Sequence, residues 1–251
     1  MKITRSGALV AALSFFVCSA ASAQWDKKPY TEWSQKETEK ILNNSPWGQT
    51  QSLTDTSRMF DTGRRLDSGQ SRVADVTQVN FRIRFLSARP VRQAISRLME
   101  IQQKGELPQQ LAAQLKAFAA ADFPDYIVVT VTVDAPNPSN EFQAATAVLG
   151  KLTTAELKND TWLLAKGGRK VFLKEYQSPR NDGLGARFIF PRIVDGKPFL
   201  TEESGDVQFY SELGGLFIVE TREGNNVQKK PVFLNMRYKT GEMTFQGKME
   251  Y

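Results

Sequence analysis

Two triplets, Asp61-Thr62-Gly63 and Asp67-Ser68-Gly69, carry the pattern with which aspartic proteases place a carboxylate on a tight turn. That chemistry needs two aspartates face to face sharing one proton, each delivered by an apolar strand of its own lobe or subunit. Here the aspartates stand six residues apart in a polar stretch, and Arg64 follows the first triplet where a small residue is needed. Both triplets therefore read as turns, for which Asp, Ser and Gly are ordinary residues. Glu202, Glu203 and Asp206 flank Ser204-Gly205, and Asp122 and Asp125 form another carboxylate pair. Two such groups about 5 to 10 Å apart across a cleft would support glycoside hydrolysis. A turn supplies the groups without the cleft. Glu202, Glu203 and Asp206 stand as the catalytic candidates of an alternative function, a carboxylate-dependent hydrolase acting on polysaccharide.

The chain has no histidine and one cysteine, Cys18. This excludes a Ser-His-Asp triad, a Cys-His pair and the imidazole- or thiolate-based zinc, copper and iron sites, so neither a metal nor a cofactor is expected. Gly183-Leu184-Gly185 precedes a strand and lacks the third glycine of a dinucleotide fingerprint. Lys166-Gly167-Gly168-Arg169 offers amides and cations to an anion, but a hairpin turn accounts for it. No specific nucleic-acid motif is present.

Charge is unevenly placed. From Arg58 to Lys104 ten basic residues face four acidic ones, whereas the whole chain carries 33 against 27. Arg82 and Arg84 on a strand, with Arg89, Arg92 and Arg97 on the following helix, are the candidates for binding an anionic envelope component. Trp33, Trp47 and Trp162 have the chemistry to stack on sugar rings, although buried anchoring is the commoner use of tryptophan.

The elements that must position these groups begin after a leader. Lys2 and Arg5, the apolar run Ala8–Val17 and Ala21-Ser22-Ala23 read as a signal peptide over 1–23, cut before Gln24. Cys18 follows Phe15-Phe16-Val17 rather than the small residue of a lipoprotein signal, so no lipid anchor is expected, and no later apolar run reaches membrane-spanning length. The mature chain is expected to be periplasmic or secreted. Ser34 and Glu37 form a capping-box pattern that opens a helix in the segment 24–47, and Pro46 forbids its continuation. That helix is too short to hold alone in water, so Trp33, Ile41, Leu42 and Trp47 must dock, either on the β-rich half of the same chain, which we expect, or on a partner protein.

Residues 48–78 show no sustained period and read as a polar linker. An α+β domain follows over 79–251, helix-rich at 79–150 and β-rich at 151–251. Val79–Phe85 alternates as a half-buried strand with Arg82 and Arg84 on its open face. Pro90 and Pro108 open the two helices of a hairpin, Tyr126–Val133 is a β-branched central strand, and Asn137-Pro138 starts a third helix that stops at Gly150. The rest divides into short strands: 162–165, 171–176, 186–191, 198–201, 207–211, 216–222, 232–238 and 243–246. The expected architecture is a helical hairpin plus a third helix packed on a mainly antiparallel sheet.

The segment Trp33-Ser34…Ile41-Leu42-Asn43-Asn44-Ser45-Pro46-Trp47 resembles the opening of a group of uncharacterised exported bacterial proteins. Gly183-Leu184-Gly185-Ala186-Arg187-Phe188-Ile189-Phe190-Pro191-Arg192 is similar to a later segment of that group. The resemblance implies export and a shared fold, and no catalytic residue. With composition, it leads to the expectation of an exported, non-enzymatic protein that binds an envelope component or another protein.

Overall fold

The computed structural model describes residues 24–55, 77–103, 105–136, 140–220 and 227–251. The leader 1–23, both Asp-(Thr/Ser)-Gly triplets and Asn137-Pro138 lie outside the described residues.

Ser34 Oγ accepts from the Glu37 amide at 3.3 Å and Glu37 Oε2 accepts from the Ser34 amide at 2.8 Å, the reciprocal cap that starts α1 (Gln35–Asn43). The next segment corrects the linker expectation, because Gly48–Asp55 is a strand, β1, paired antiparallel with β2 (Thr77–Phe85) along its whole length. Its Gln, Thr and Ser side chains leave no apolar alternation to read. Backbone pairing to β2 holds it instead. Then follow α2 (Arg89–Gln102), α3 (Gln109–Ala120), β3 (Tyr126–Asp134), α4 (Asn140–Lys151) and a short α5 (Thr154–Leu157). The β-rich half comprises β4 (Thr161–Ala165), β5 (Lys170–Phe172), β6 (Glu175–Gln177), β7 (Ala186–Pro191), β8 (Ile193–Val194), β9 (Lys197–Pro198), β10 (Asp206–Glu220), β11 (Val227–Lys239), β12 (Thr244–Phe245) and β13 (Lys248–Met249).

The fold is α+β with antiparallel sheets. The first sheet runs β1-β2-β3-β7-β6 and the second β11-β10-β4-β5. Their inner faces form one core, in which Phe188 and Phe190 meet Phe209 at ring-centroid distances of 5.4 and 6.3 Å and Phe85 meets Tyr238 at 4.9 Å. The buried Tyr238 hydroxyl donates to Ile83 O at 3.0 Å, tying the two sheets together. The helical hairpin α2–α3 is fastened by Ser96 Oγ donating to Leu115 O at 3.0 Å, and α1 packs on α2, β1 and β2.

Three strand expectations change. The run 171–176 divides at Leu173-Lys174, where the chain leaves the second sheet and enters the first: β5 pairs with β4, and β6 pairs with β7. Conversely 207–211 and the described part of the second expected strand, 216–220, belong to one strand, β10, whose register shifts beside Gly214, a residue with φ +74° that turns the backbone without ending its pairing. Strand pairing expected over 198–201 ends at Pro198. The helix expected to stop at Gly150 continues to Lys151.

Gly183-Leu184-Gly185 is the turn into β7. Gly185 has φ +80°, and a Cβ there would lie 2.4 Å from Val131 O, so the motif serves a close approach to β3.

Candidate functional site

The second sheet has a filled face and an open one, separated by strand parity. Val207, Phe209, Ser211 and Leu213 of β10 are buried, and so are Leu163 of β4, Val171 of β5, and Val232, Leu234 and Tyr238 of β11. The alternate residues point away from the core. Register places Phe172, Trp162, Tyr210 and Asn235 side by side across β5, β4, β10 and β11. The neighbouring rung is Lys170, Leu164, Gln208 and Arg237, and Phe233 stands opposite Glu212 on the other side.

Aromatic rings dominate this open face. Trp162 and Tyr210 stack at 4.8 Å with planes 14° apart, and Tyr210 and Phe233 at 6.2 Å with planes 29° apart. The Lys170 ammonium lies 4.4 Å from the Trp162 ring centroid and 5.6 Å from that of Phe172. Such contacts strengthen a sheet. They do not account for the exposure at the two ends of the row, where Phe172 is 48% and Phe233 43% accessible.

Beside the row a shallow cavity of about 380 Å³ is lined by Leu164, Ala165, Lys166, Gly205, Asp206, Gln208 and Arg237. Gly205, at φ +67°, lets the alkyl stem of Lys166 lie over it, since a Cβ there would come within 2.7 Å of Lys166 Cδ. Gln208 Nε2 donates to Asn235 Oδ1 at 2.6 Å, placing an amide pair between the cavity and the rings. Among the described residues, neither Lys166 nor Arg237 forms an ion pair with Asp206.

Of the carboxylate candidates, Asp206 lines this cavity, while Glu202 and Glu203 sit exposed on the 3-10 turn that precedes β10. That turn is closed by Thr201 and Ser204, whose amide-to-hydroxyl bond is 2.8 Å. Asp122 and Asp125 are exposed near the end of α3, with Asp122 3.9 Å from Arg89. Among the described residues, no group of His, Cys, Asp and Glu has the arrangement of a metal site.

The five arginine candidates do not form a free cationic face. Arg84 is buried under α1, its Nε donating to Leu42 O and its Nη2 to Asn43 Oδ1, both at 2.9 Å. Arg92 is buried and donates to the carbonyls of Leu86, Ser87 and Ala121. Burial pulls both guanidinium groups down to about 10, which leaves them charged at neutral pH. Arg82 pairs with Asp134, Arg89 with Glu250, and Arg97 with Glu100 while also donating to Trp33 O at 2.9 Å. The reason is local. This block of chain has few acidic neighbours in sequence, of which Glu100 pairs with Arg97, and the fold brings the other arginines backbone carbonyls at element ends and the distant carboxylates Asp134 and Glu250.

The proposed docking residues dock on their own chain. Trp33, Ile41, Leu42 and Trp47 are all buried, and Trp47 Nε1 donates to Glu250 O at 2.7 Å. Trp25 stacks on Phe245 at 5.6 Å and meets Trp33 and Trp47 edge-on. Trp162, by contrast, is the tryptophan on the open sheet.

Its neighbours Phe172 and Phe233 carry a signal that the sequence pattern already contains. Val171-Phe172-Leu173 and Val232-Phe233-Leu234 are apolar triplets in strands of period 2, so the middle ring must point opposite to its buried neighbours. No helix among the described residues is long and apolar enough to cross a membrane. No protein-family model, curated protein or solved structure matches the chain.

Proposed function

We propose that this is an exported, non-enzymatic binding protein that takes an envelope component on the open face of its second sheet. The carrying observation is the row Phe172, Trp162, Tyr210 and Phe233, accessible at its two ends beside a polar cavity. Large apolar rings grouped on one face are the ordinary mark of a contact surface. The leader pattern at 1–23 and the resemblance to exported proteins support a place outside the cytoplasm. Docking of Trp33 and Trp47 within the chain removes the competing partner surface.

Co-sedimentation with isolated cell-wall polysaccharide and with membrane vesicles tests this reading. The wild type is expected to be retained on one of them and the Phe172→Ser/Phe233→Ser variant released, with melting temperature little changed. Equal retention of the two proteins would refute it. The alternative, a polysaccharide hydrolase, is favoured by one observation, Asp206 at the cavity wall. Release of reducing ends from a glycan panel, abolished by Asp206→Asn, would establish the enzyme in place of the binding protein.

A further inference from the structure

We propose that the ligand is an acidic polysaccharide strand, lying across the second sheet with an anionic group at the Lys166–Arg237 cavity and sugar rings against Phe172 and Phe233. This rests on the binding face described above and names its ligand class. Few ring surfaces on this face remain free. Trp162 has the Lys170 ammonium at 4.4 Å and the Tyr210 ring at 4.8 Å, and Tyr210 has Trp162 and Phe233 as stacking neighbours. The middle of the row therefore presents ring edges, the positive part of the aromatic quadrupole, to whatever approaches. Oxygen-rich, anionic ligands suit such edges. Nucleic-acid bases, which bind by stacking on open ring faces, find the middle faces taken.

The accessible rings are also widely spaced. Phe172 and Phe233, the accessible rings, lie on the two outer strands of the sheet, β5 and β11. Three strand spacings and an offset of two residues along the strand separate them by about 16 Å, which calls for a chain of several sugar units rather than one. The amide pair Gln208–Asn235 lies between the rings and the cavity, suited to hydroxyl groups.

Charge gives the face a direction. Lys166 and Arg237 line the cavity with Asp206 as its one acidic lining residue, and Lys170 stands on the strand beside Leu164. On the opposite side of the row from the cavity, Asp160 and Glu212 lie near Tyr210, with the Glu212 amide donating to Asp160 O at 3.2 Å. The face is polarised, so an anionic substituent is drawn to the cavity and repelled from the far end.

Titration calorimetry of the full chain with oligogalacturonate, its carboxyl-reduced counterpart and oligodeoxythymidine, at low and high salt, tests the assignment. Oligogalacturonate is expected to bind and to weaken as salt rises. Lys166→Gln/Arg237→Gln should reduce affinity by about tenfold and flatten the salt dependence, while Phe172→Ser/Phe233→Ser should reduce it by about tenfold and leave the salt dependence in place. Circular dichroism melts would show both double variants folded, since all four side chains lie on the open face. Absence of oligogalacturonate binding, equal binding of the carboxyl-reduced oligomer, or preference for oligodeoxythymidine overturns the proposal. If envelope material is still retained through Phe172 and Phe233 while oligogalacturonate fails to bind, the binding face stands and the acidic-polysaccharide assignment falls.

Discussion

Gln51 pairs with Asn235 as though its side chain were a length of strand. Its Oε1 accepts from the Asn235 amide at 2.8 Å, and its Nε2 donates to Phe233 O at 2.7 Å. Two residues along β1, Gln49 Nε2 donates to Arg237 O at 2.9 Å. Two glutamines thus occupy backbone groups on the free edge of β11 and join the edge of one sheet to that of the other, an edge that would otherwise invite pairing with another chain. Gln51→Ala is expected to cost about 1 kcal/mol, since water can partly replace the lost bonds at an exposed edge. Faster hydrogen exchange at the Asn235 amide, with little change at amides inside β10, would be the specific sign. Unchanged exchange there would show that the side-chain pairing contributes nothing.

Trp47 anchors the N-terminal segment to the C-terminal one through packing and its 2.7 Å bond to Glu250 O. Trp47→Ala is expected to cost about 3 to 5 kcal/mol, and Trp47→Phe less, because the phenyl ring fills much of the site without donating. Urea unfolding of the two variants measures both effects. Equal losses would mean that ring packing is immaterial and that the lost hydrogen bond carries the whole cost.

Arg84 is buried against the last turn of α1 and forms no ion pair among the described residues, so its value lies in satisfying Leu42 O and Asn43 Oδ1. Arg84→Ala leaves those acceptors facing a cavity and is expected to cost about 2 to 3 kcal/mol. Arg84→Lys should recover only part of the loss, since one ammonium cannot reproduce the forked donor geometry. Full recovery in chemical unfolding would show that charge alone matters.

Glu37 is held down to about 2, first by the Ser34 amide and then by Lys28 at 2.9 Å. Its carboxylate is favoured in the folded state, so its contribution is complete above the ordinary carboxylate range and fades as pH falls from about 4.5 towards 2. Glu37→Gln is therefore expected to narrow the stability gap to wild type on acidification over that window. Ser34→Ala, which removes the cap itself, should cost about 1 kcal/mol near neutral pH. A gap that stays constant from pH 6 to about 2.5 would assign the pair no linked role.

At Gly185, alanine would need φ +80° and would drive its Cβ against Val131 O. Strain and displacement of β7 from β3 together are expected to cost about 2 kcal/mol or more. Gly183→Ala, where a Cβ would meet Met99 Cε only at 3.8 Å, should cost less. Comparable melting temperatures for the two variants would remove the close-approach explanation.

Local pattern alone determined those features whose physics is local. The Ser34–Glu37 cap, the alternating Val79–Phe85 strand, the prolines at the starts of α2 and α3, and the glycine turn between β4 and β5 each depend on residues within one turn or strand of one another. The tertiary structure decided what depends on distant neighbours. β1 has no apolar signature and exists because β2 and the edge of β11 take up its hydrogen bonds. Arg84 and Arg92 resemble surface cations until the carbonyls that bury them come from elements up to 42 residues away. The open face follows the same rule. Phe172, Trp162, Tyr210 and Phe233 are scattered over 72 positions, and strand register together with strand parity makes them neighbours on the side that the core does not need.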